Sequence, residues 1–236
     1  MNYTTFIITR FRQRRIDPNN VINNKYVKSF DLEHRFKMFE KYCYPSIMNQ
    51  TDKNFIWMTI SSKSIITKKD IDRIKSYKEI HHIFLEPEED DDWINVIKRN
   101  IKERIQKDSK KVITIRLDND DGLAKSYIKT IKECADTCDK DTVMICPTGI
   151  QYVEKTNTAY KWYKQYCNAF IGLVEDVNNL ETVYRDGHTN MPRYYDTKWV
   201  INYIGWLQVI HGKNLRNNLR TADKITIEKM KEHIHL

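Results

Sequence analysis

Lys111-Val112-Ile113-Thr114-Ile115-Arg116-Leu117-Asp118-Asn119-Asp120-Asp121-Gly122 runs from an apolar segment into three carboxylates within four positions. The segment up to Leu117 reads as a short buried strand. Leu123, Tyr127, Ile128 and Ile131 then recur at helical spacing. Like charges packed together cost energy unless a cation or hydrogen-bond donors compensate. A hard divalent ion with oxygen ligands, Mn2+ or Mg2+, supplies that compensation and would in turn bridge a diphosphate. A plainer reading makes Asp120 or Asp121 the cap of the following helix.

Upstream, strand and helix periods alternate. Thr5-Phe6-Ile7-Ile8 reads as a first strand, and Asp17-Pro18-Asn19-Asn20 with Asn23-Asn24 as a polar loop. Leu32, Phe36, Phe39 and Cys43 mark a helix that Pro45 is expected to end. Asn54 to Ile60 is a second strand. Thr67 and Asp70 form a capping-box variant ahead of Ile71, Ile74 and Tyr77. His82 to Leu85 is a third strand. The acidic run Glu88 to Asp92 opens a helix carrying Trp93, Ile97, Ile101 and Ile105, where carboxylates complement the helix dipole. Strand alternating with helix predicts a parallel α/β sheet, whose ligands sit beyond the carboxyl ends of the strands. That rule turns attention to the acids after Leu117.

Downstream, Thr142–Cys146, Ile150–Val153 and Ala159–Tyr163 are closely spaced strand-like segments, and Ala169–Val174 follows. They predict antiparallel structure added to the parallel sheet. Trp199 to Ile210 reads as an apolar helix. The tail from Asn214 is basic and amphipathic, with Ile225, Ile227, Met230 and Ile234 as packing positions. With no repeat and no low-complexity linker, one α/β domain is expected over residues 1–236. Its Rossmann-type half spans 1–122, and a second half with a mixed sheet and a helical tail spans 123–236.

Composition narrows the class. The 236 residues are 40% hydrophobic and 11% aromatic, enough for a sizeable core. No apolar run approaches the ~20 residues that span a bilayer, and the opening residues lack the pattern of a secretory signal. Five cysteines with no CxxC pair point to a reducing, cytoplasmic setting. Cys134 and Cys138 would share a helix face, but no second pair completes a zinc site, so they read as thiols. A net charge of +8 suits a phosphate-bearing substrate or loose contact with an anionic membrane surface. The densest basic cluster, Arg10-Phe11-Arg12-Gln13-Arg14-Arg15, is too short to argue for nucleic-acid binding.

Thr114-Ile115-Arg116-Leu117-Asp118-Asn119-Asp120-Asp121 resembles the Thr-Arg-Leu-Asp-Asn-Asp-Asp segment of the rhamnosyltransferase family within the GT-A fold, with Ile115 inserted. Three further segments are similar to the same family, in the same order. They are Ile8-Thr9-Arg10-Phe11, then Pro45–Thr51 with Asn54–Trp57, and Trp206–Asn214. The resemblance implies a metal-dependent glycosyltransferase using a nucleotide-diphosphate sugar, with rhamnose as the sugar suggested and a glycan or other hydroxyl as acceptor. It implies Asp118 at the ribose or the metal, Asp120 as principal metal ligand, and Asp121 in support. Thr9, Arg10 and Arg116 would face the nucleotide or its phosphates. His211 would complete the metal or diphosphate site, with Lys213 neutralising the diphosphate and His188 as a rival to His211. Glu175-Asp176 resembles the Glu-Asp pair near the acceptor, which makes Glu175 the first candidate base and Asp176 the second; Asp196 is next. Ser61-Ser62 stands where many relatives carry a base-contacting Asp.

Two other classes compete. Asp-x-Asp clusters also organise the two-metal phosphoryl transfer of nucleases and nucleotidyltransferases. A degenerate transferase fold would instead retain the acids as a cap and bind without turnover.

Overall fold

The computed structural model describes residues 3–13, 31–164, 166–214, 219–220 and 223–236. Arg14-Arg15 and the polar loop at 17–24 lie outside them. β1 (Tyr3–Arg12) runs parallel to both β2 (Ile56–Ser62) and β4 (Lys111–Asp118), and β3 (Ile80–Leu85) lies parallel beyond β2. A parallel strand covered on both faces needs an unbroken apolar run, and Phe6, Ile7 and Ile8 are all fully buried.

Between these strands run α1 (Leu32–Met38), α2 (Tyr44–Met48), α3 (Lys68–Lys75) and α4 (Trp93–Lys102). One π-helical turn, Phe39–Cys43, joins α1 to α2. Pro45 therefore does not end the helix. It sits at the start of α2 directly after the π turn, and the chain stays helical into it, with Cys43 at φ −69 and ψ −56. Thr67 and Asp70 close the capping box at α3, each side chain accepting from the other's backbone N–H. Thr67→Ala is expected to cost about 1 kcal/mol, read from a denaturant midpoint. The acidic run departs from expectation. Pro87–Glu89 form a separate 3-10 turn, and Asp90 is buried, accepting from Ser64 Oγ at 2.8 Å.

After β4 come β5 (Gly122–Leu123), α5 (Tyr127–Ala135), β6 (Thr142–Ile145), β7 (Thr148–Val153), β8 (Thr158–Tyr163) and β9 (Ile171–Asp176). β10 (Asp196–Trp199), β11 (Ile204–Ile210), β12 (Asp223–Ile225) and α6 (Ile227–His233) follow. Leu123 thus belongs to a strand, and the helix starts at Tyr127. The Trp199–Ile210 segment is the end of one strand and the whole of another rather than a helix. Buried apolar runs of this length do not reveal their period.

Two mixed sheets result. One has the order β10-β6-β9-β4-β1-β2-β3, the other β12-β8-β7-β11-β5. In the first, β9 is antiparallel to both β4 and β6, while β10 is parallel to β6. The carboxyl ends of β1, β2, β3, β4, β6 and β10 therefore share one edge, and β9 ends at the opposite edge. α6 covers the second sheet through Met230 and Ile234. Among the described residues, no helix is long and apolar enough to cross a membrane. All five cysteines are free, and Cys138 Sγ donates to the Cys134 carbonyl.

Candidate functional site

Register brings the first charges together. Arg10 on β1 lies directly beside Asp118 on β4, and Ile8 beside Arg116. Arg116 and Asp118, two apart on one strand, share a face. Arg10 Nη2 donates to Asp118 Oδ1 at 3.2 Å and Arg116 Nη2 to Oδ2 at 3.4 Å. Both guanidinium groups lie over the ring of Tyr184, at 5.4 and 5.6 Å from its centroid. The Tyr184 hydroxyl donates to the Ile8 carbonyl at 3.2 Å. Burial pushes the Asp118 carboxyl upward, but Arg116 and Arg10 hold it well below the usual range. His188 Nδ1 lies 3.0 Å from Arg116 Nη1. Burial, then the Arg116 charge, lower His188 to about 4, so it is a neutral acceptor at neutral pH.

A second group meets at the next acid. His211, at the end of β11, places Nε2 3.0 Å from Asp120 Oδ2, and its Nδ1 lies 2.9 Å from His34 Nε2 on α1. The turn after it uses Gly212 at φ +77, which lets Asn214 fold back. Asn214 Oδ1 accepts from the His211 backbone N–H at 2.8 Å, and its Nδ2 donates to the Val209 carbonyl at 2.9 Å. Lys213 Nζ donates to Asp31 Oδ2 at 3.1 Å, at the start of α1.

Among the described residues, no group of three or more His, Cys, Asp or Glu side chains forms a ready-made metal cage. Adjacent ligands of an octahedral ion with bonds of about 2.1 Å stand about 3 Å apart. Asp120 Oδ2 and His211 Nε2 stand at that spacing as a hydrogen-bonded pair, with Asn214 Nδ2 3.1 Å from the same His211 nitrogen. Both oxygens of Asp118 face guanidinium donors, one from Arg10 and one from Arg116.

The remaining residues of the acidic turn brace it. Asp121 is buried and accepts from the Val209 N–H at 2.9 Å, tying the turn to β11. Burial and the neighbouring Asp120 and Asp118 push its carboxyl well above the usual range. Asn119 donates to the Phe11 carbonyl and accepts from Arg35 Nη1 at 2.7 Å. Ser46 and Gln50 hold the following stretch through the backbone of Leu123, Ala124 and Ile128. The Pro45–Thr51 segment thus supports the acidic turn from behind.

Several expected residues are not brought here. Thr9 adjoins Arg10, so the two point to opposite faces. Thr9 is fully buried, and its hydroxyl accepts from Trp57 Nε1 at 3.0 Å. Glu175 and Asp176 pair with Val112 and Lys111, at the start of β4. Asp118 lies six positions after Val112, about 20 Å along a strand. Asp176 Oδ1 accepts from the Asn178 N–H. Asp196 opens β10 at that same far edge. Ser61 and Ser62, by contrast, do lie on the site's edge, buried at the carboxyl end of β2 with Ser61 beside Arg12. Conversely, His34, Arg35 and Tyr184 gave no signal in the sequence, since each enters through a partner distant in the chain.

Among curated proteins none matches the chain. Among solved structures it is similar to S. aureus TarS, with TM-score 0.46 and 8% identity over 89% of this chain and 37% of that one. It is also similar to S. aureus TarS 1-349, at 0.42 and 11% over 89% of this chain and 60% of that one. The chain therefore spans less than two thirds of the length of either. A 4-diphosphocytidyl-2C-methyl-D-erythritol synthase from Anaerococcus prevotii DSM 20548 matches at 0.38 and 13%, over 92% of this chain and 90% of that one. A family model described as "Putative rhamnosyl transferase" matches residues 13–223, and the chain belongs to that family of glycosyltransferases.

Proposed function

We propose that the protein is a divalent-metal-dependent glycosyltransferase. It moves a sugar, rhamnose by the family's description, from a nucleoside-diphosphate donor to a hydroxyl of a glycan or other conjugate. The observation that carries this reading is that Arg10 and Arg116, held on Asp118, and the Asp120–His211 pair two residues further on stand at the same edge of the sheet. In the reaction the bond from the anomeric carbon to phosphate breaks, the acceptor oxygen takes its place, and the acceptor proton is released. Asp120 and His211 would hold Mn2+ or Mg2+, which when bound neutralises charge growing on the departing diphosphate.

The chain's own groups do the rest. Arg10 and Arg116, backed by the Tyr184 ring, bind phosphate oxygens. Asp118 orients both guanidinium groups, and a ribose hydroxyl is the natural donor to its remaining lone pairs. Lys213, half-exposed beside α1, adds a positive charge at the mouth. Neither Glu175 nor Asp176 is assigned the acceptor's proton, given their distance. Five free thiols accord with a reducing, cytoplasmic setting.

Calorimetry with uridine and thymidine diphosphates, with and without Mn2+, tests the reading. Binding that strengthens with the metal is expected. Arg116→Met should then weaken it roughly 10- to 100-fold, the worth of a charged hydrogen bond to phosphate. A protein that ignores both nucleotides at millimolar concentration, with or without metal, would sink the proposal.

A further inference from the structure

We propose that Glu175 is a positioning residue for the donor site, acting through residues 181–188, rather than the acceptor's base. The proposal rests on the glycosyltransferase reading for what the site binds; the clamp itself rests on geometry alone. Glu175 is fully buried at the end of β9. Its Oε1 accepts from the Glu181 N–H at 3.0 Å and from the Tyr195 hydroxyl at 3.2 Å, and its Oε2 accepts from the Thr182 N–H at 2.9 Å.

Those donors hold an unusual turn. Thr182 has φ +72, a left-handed conformation that strains a β-branched residue and persists only where the surroundings enforce it. The Thr182 hydroxyl accepts from the Tyr184 N–H at 3.2 Å, and Thr114 Oγ1 on β4 accepts from the Val183 N–H at 3.0 Å. Pinned at these points, the segment follows β4 from its start toward its carboxyl end. There it sets the Tyr184 ring under Arg10 and Arg116, and His188 against Arg116. The two guanidinium groups that grip Asp118 thus rest on a segment whose far end is held by Glu175. Burial raises the Glu175 carboxyl to about 7 although its three donors pull the other way, with the Asp141 charge adding to the rise. A glutamate kept buried at that cost and fully hydrogen-bonded is placed to hold backbone, not to meet a substrate about 20 Å away.

Glu175→Gln keeps the shape but turns an amide N–H2 toward one of the donors. In the ligand-free protein, amide hydrogen exchange across 181–188 should quicken at least about tenfold. The dissociation constant for the nucleoside diphosphate should rise roughly tenfold, while kcat at saturating donor stays within about threefold of the parent. Thr114→Val, which removes the second pin, should move both readouts the same way, and Thr114→Ser should restore them. That pair carries the test if Glu175→Gln does not fold. A kcat lowered about a hundredfold, with exchange and donor affinity unchanged, would overturn the proposal and make Glu175 the base. If the parent binds no nucleoside diphosphate, the glycosyltransferase reading fails and takes the donor role with it. Exchange in the variants still decides the clamp, and unchanged exchange refutes it.

Discussion

Asp120→Ala is expected to lower kcat/KM by about a thousandfold or more while the melting temperature stays within about 3 °C of the parent. The first effect follows from losing the carboxylate that meets His211 Nε2 at 3.0 Å, half of the pair proposed to hold the metal. A thousandfold corresponds to about 4 kcal/mol of transition-state stabilisation, within the range a bound divalent ion supplies. The small stability change follows from crowding. The Asp120 charge is one of the causes that raise the buried Asp121 carboxyl, after burial itself, so removing it relieves repulsion even as His211 loses a partner. Asp120→Asn separates charge from shape and should be nearly as inactive. The assay is transfer from a nucleotide-sugar panel with Mn2+, alongside a thermal melt. Turnover at the parent's rate would remove Asp120 from the metal site.

The second large effect concerns stability. Gly149→Ala should destabilise the protein by about 4 kcal/mol or more, a fall in Tm of roughly 10 °C for a chain of this size. A Cβ on Gly149 would stand 2.0 to 2.3 Å from three atoms of the Trp206 indole. The indole has nowhere to move. It is fully buried, stacked on Phe170 with 4.7 Å between centroids, and edge-on to Trp162 at 5.7 Å. Its Nε1 also donates to the Cys146 carbonyl at 2.9 Å. Because β7 and β11 are parallel neighbours, the clash would force apart the strand that delivers His211 to Asp120. A variant melting within about 2 °C of the parent would show that the second sheet repacks freely. Trp206 belongs to the core.

The first half was readable because its physics is local. Strands buried on both faces must be apolar throughout, so β1, β2 and β4 stand out between polar turns. A capping box such as Thr67 with Asp70 is closed by neighbours three residues apart. The second half was harder for the same reason in reverse. Ile204–Ile210 is as apolar as a core helix, and only its pairing with β5 and β7 makes it a strand.

Strand direction accounts for the largest revision at the site. Glu175-Asp176 and Asp118 each follow a buried strand, and nothing in either stretch tells which way its strand will point. Because β9 runs against β4, the two acidic groups finish at opposite edges of one sheet. The order of motifs along the chain, the apolar strands and the acid-rich turn after Leu117 were therefore set by residue chemistry alone, since burial and charge crowding act over a few neighbouring positions. Which acids face arginines, which one meets a histidine and which glutamate is shut inside were settled by register and strand polarity. Those arise only when segments up to 182 residues apart, as Asp31 and Lys213 are, come into contact.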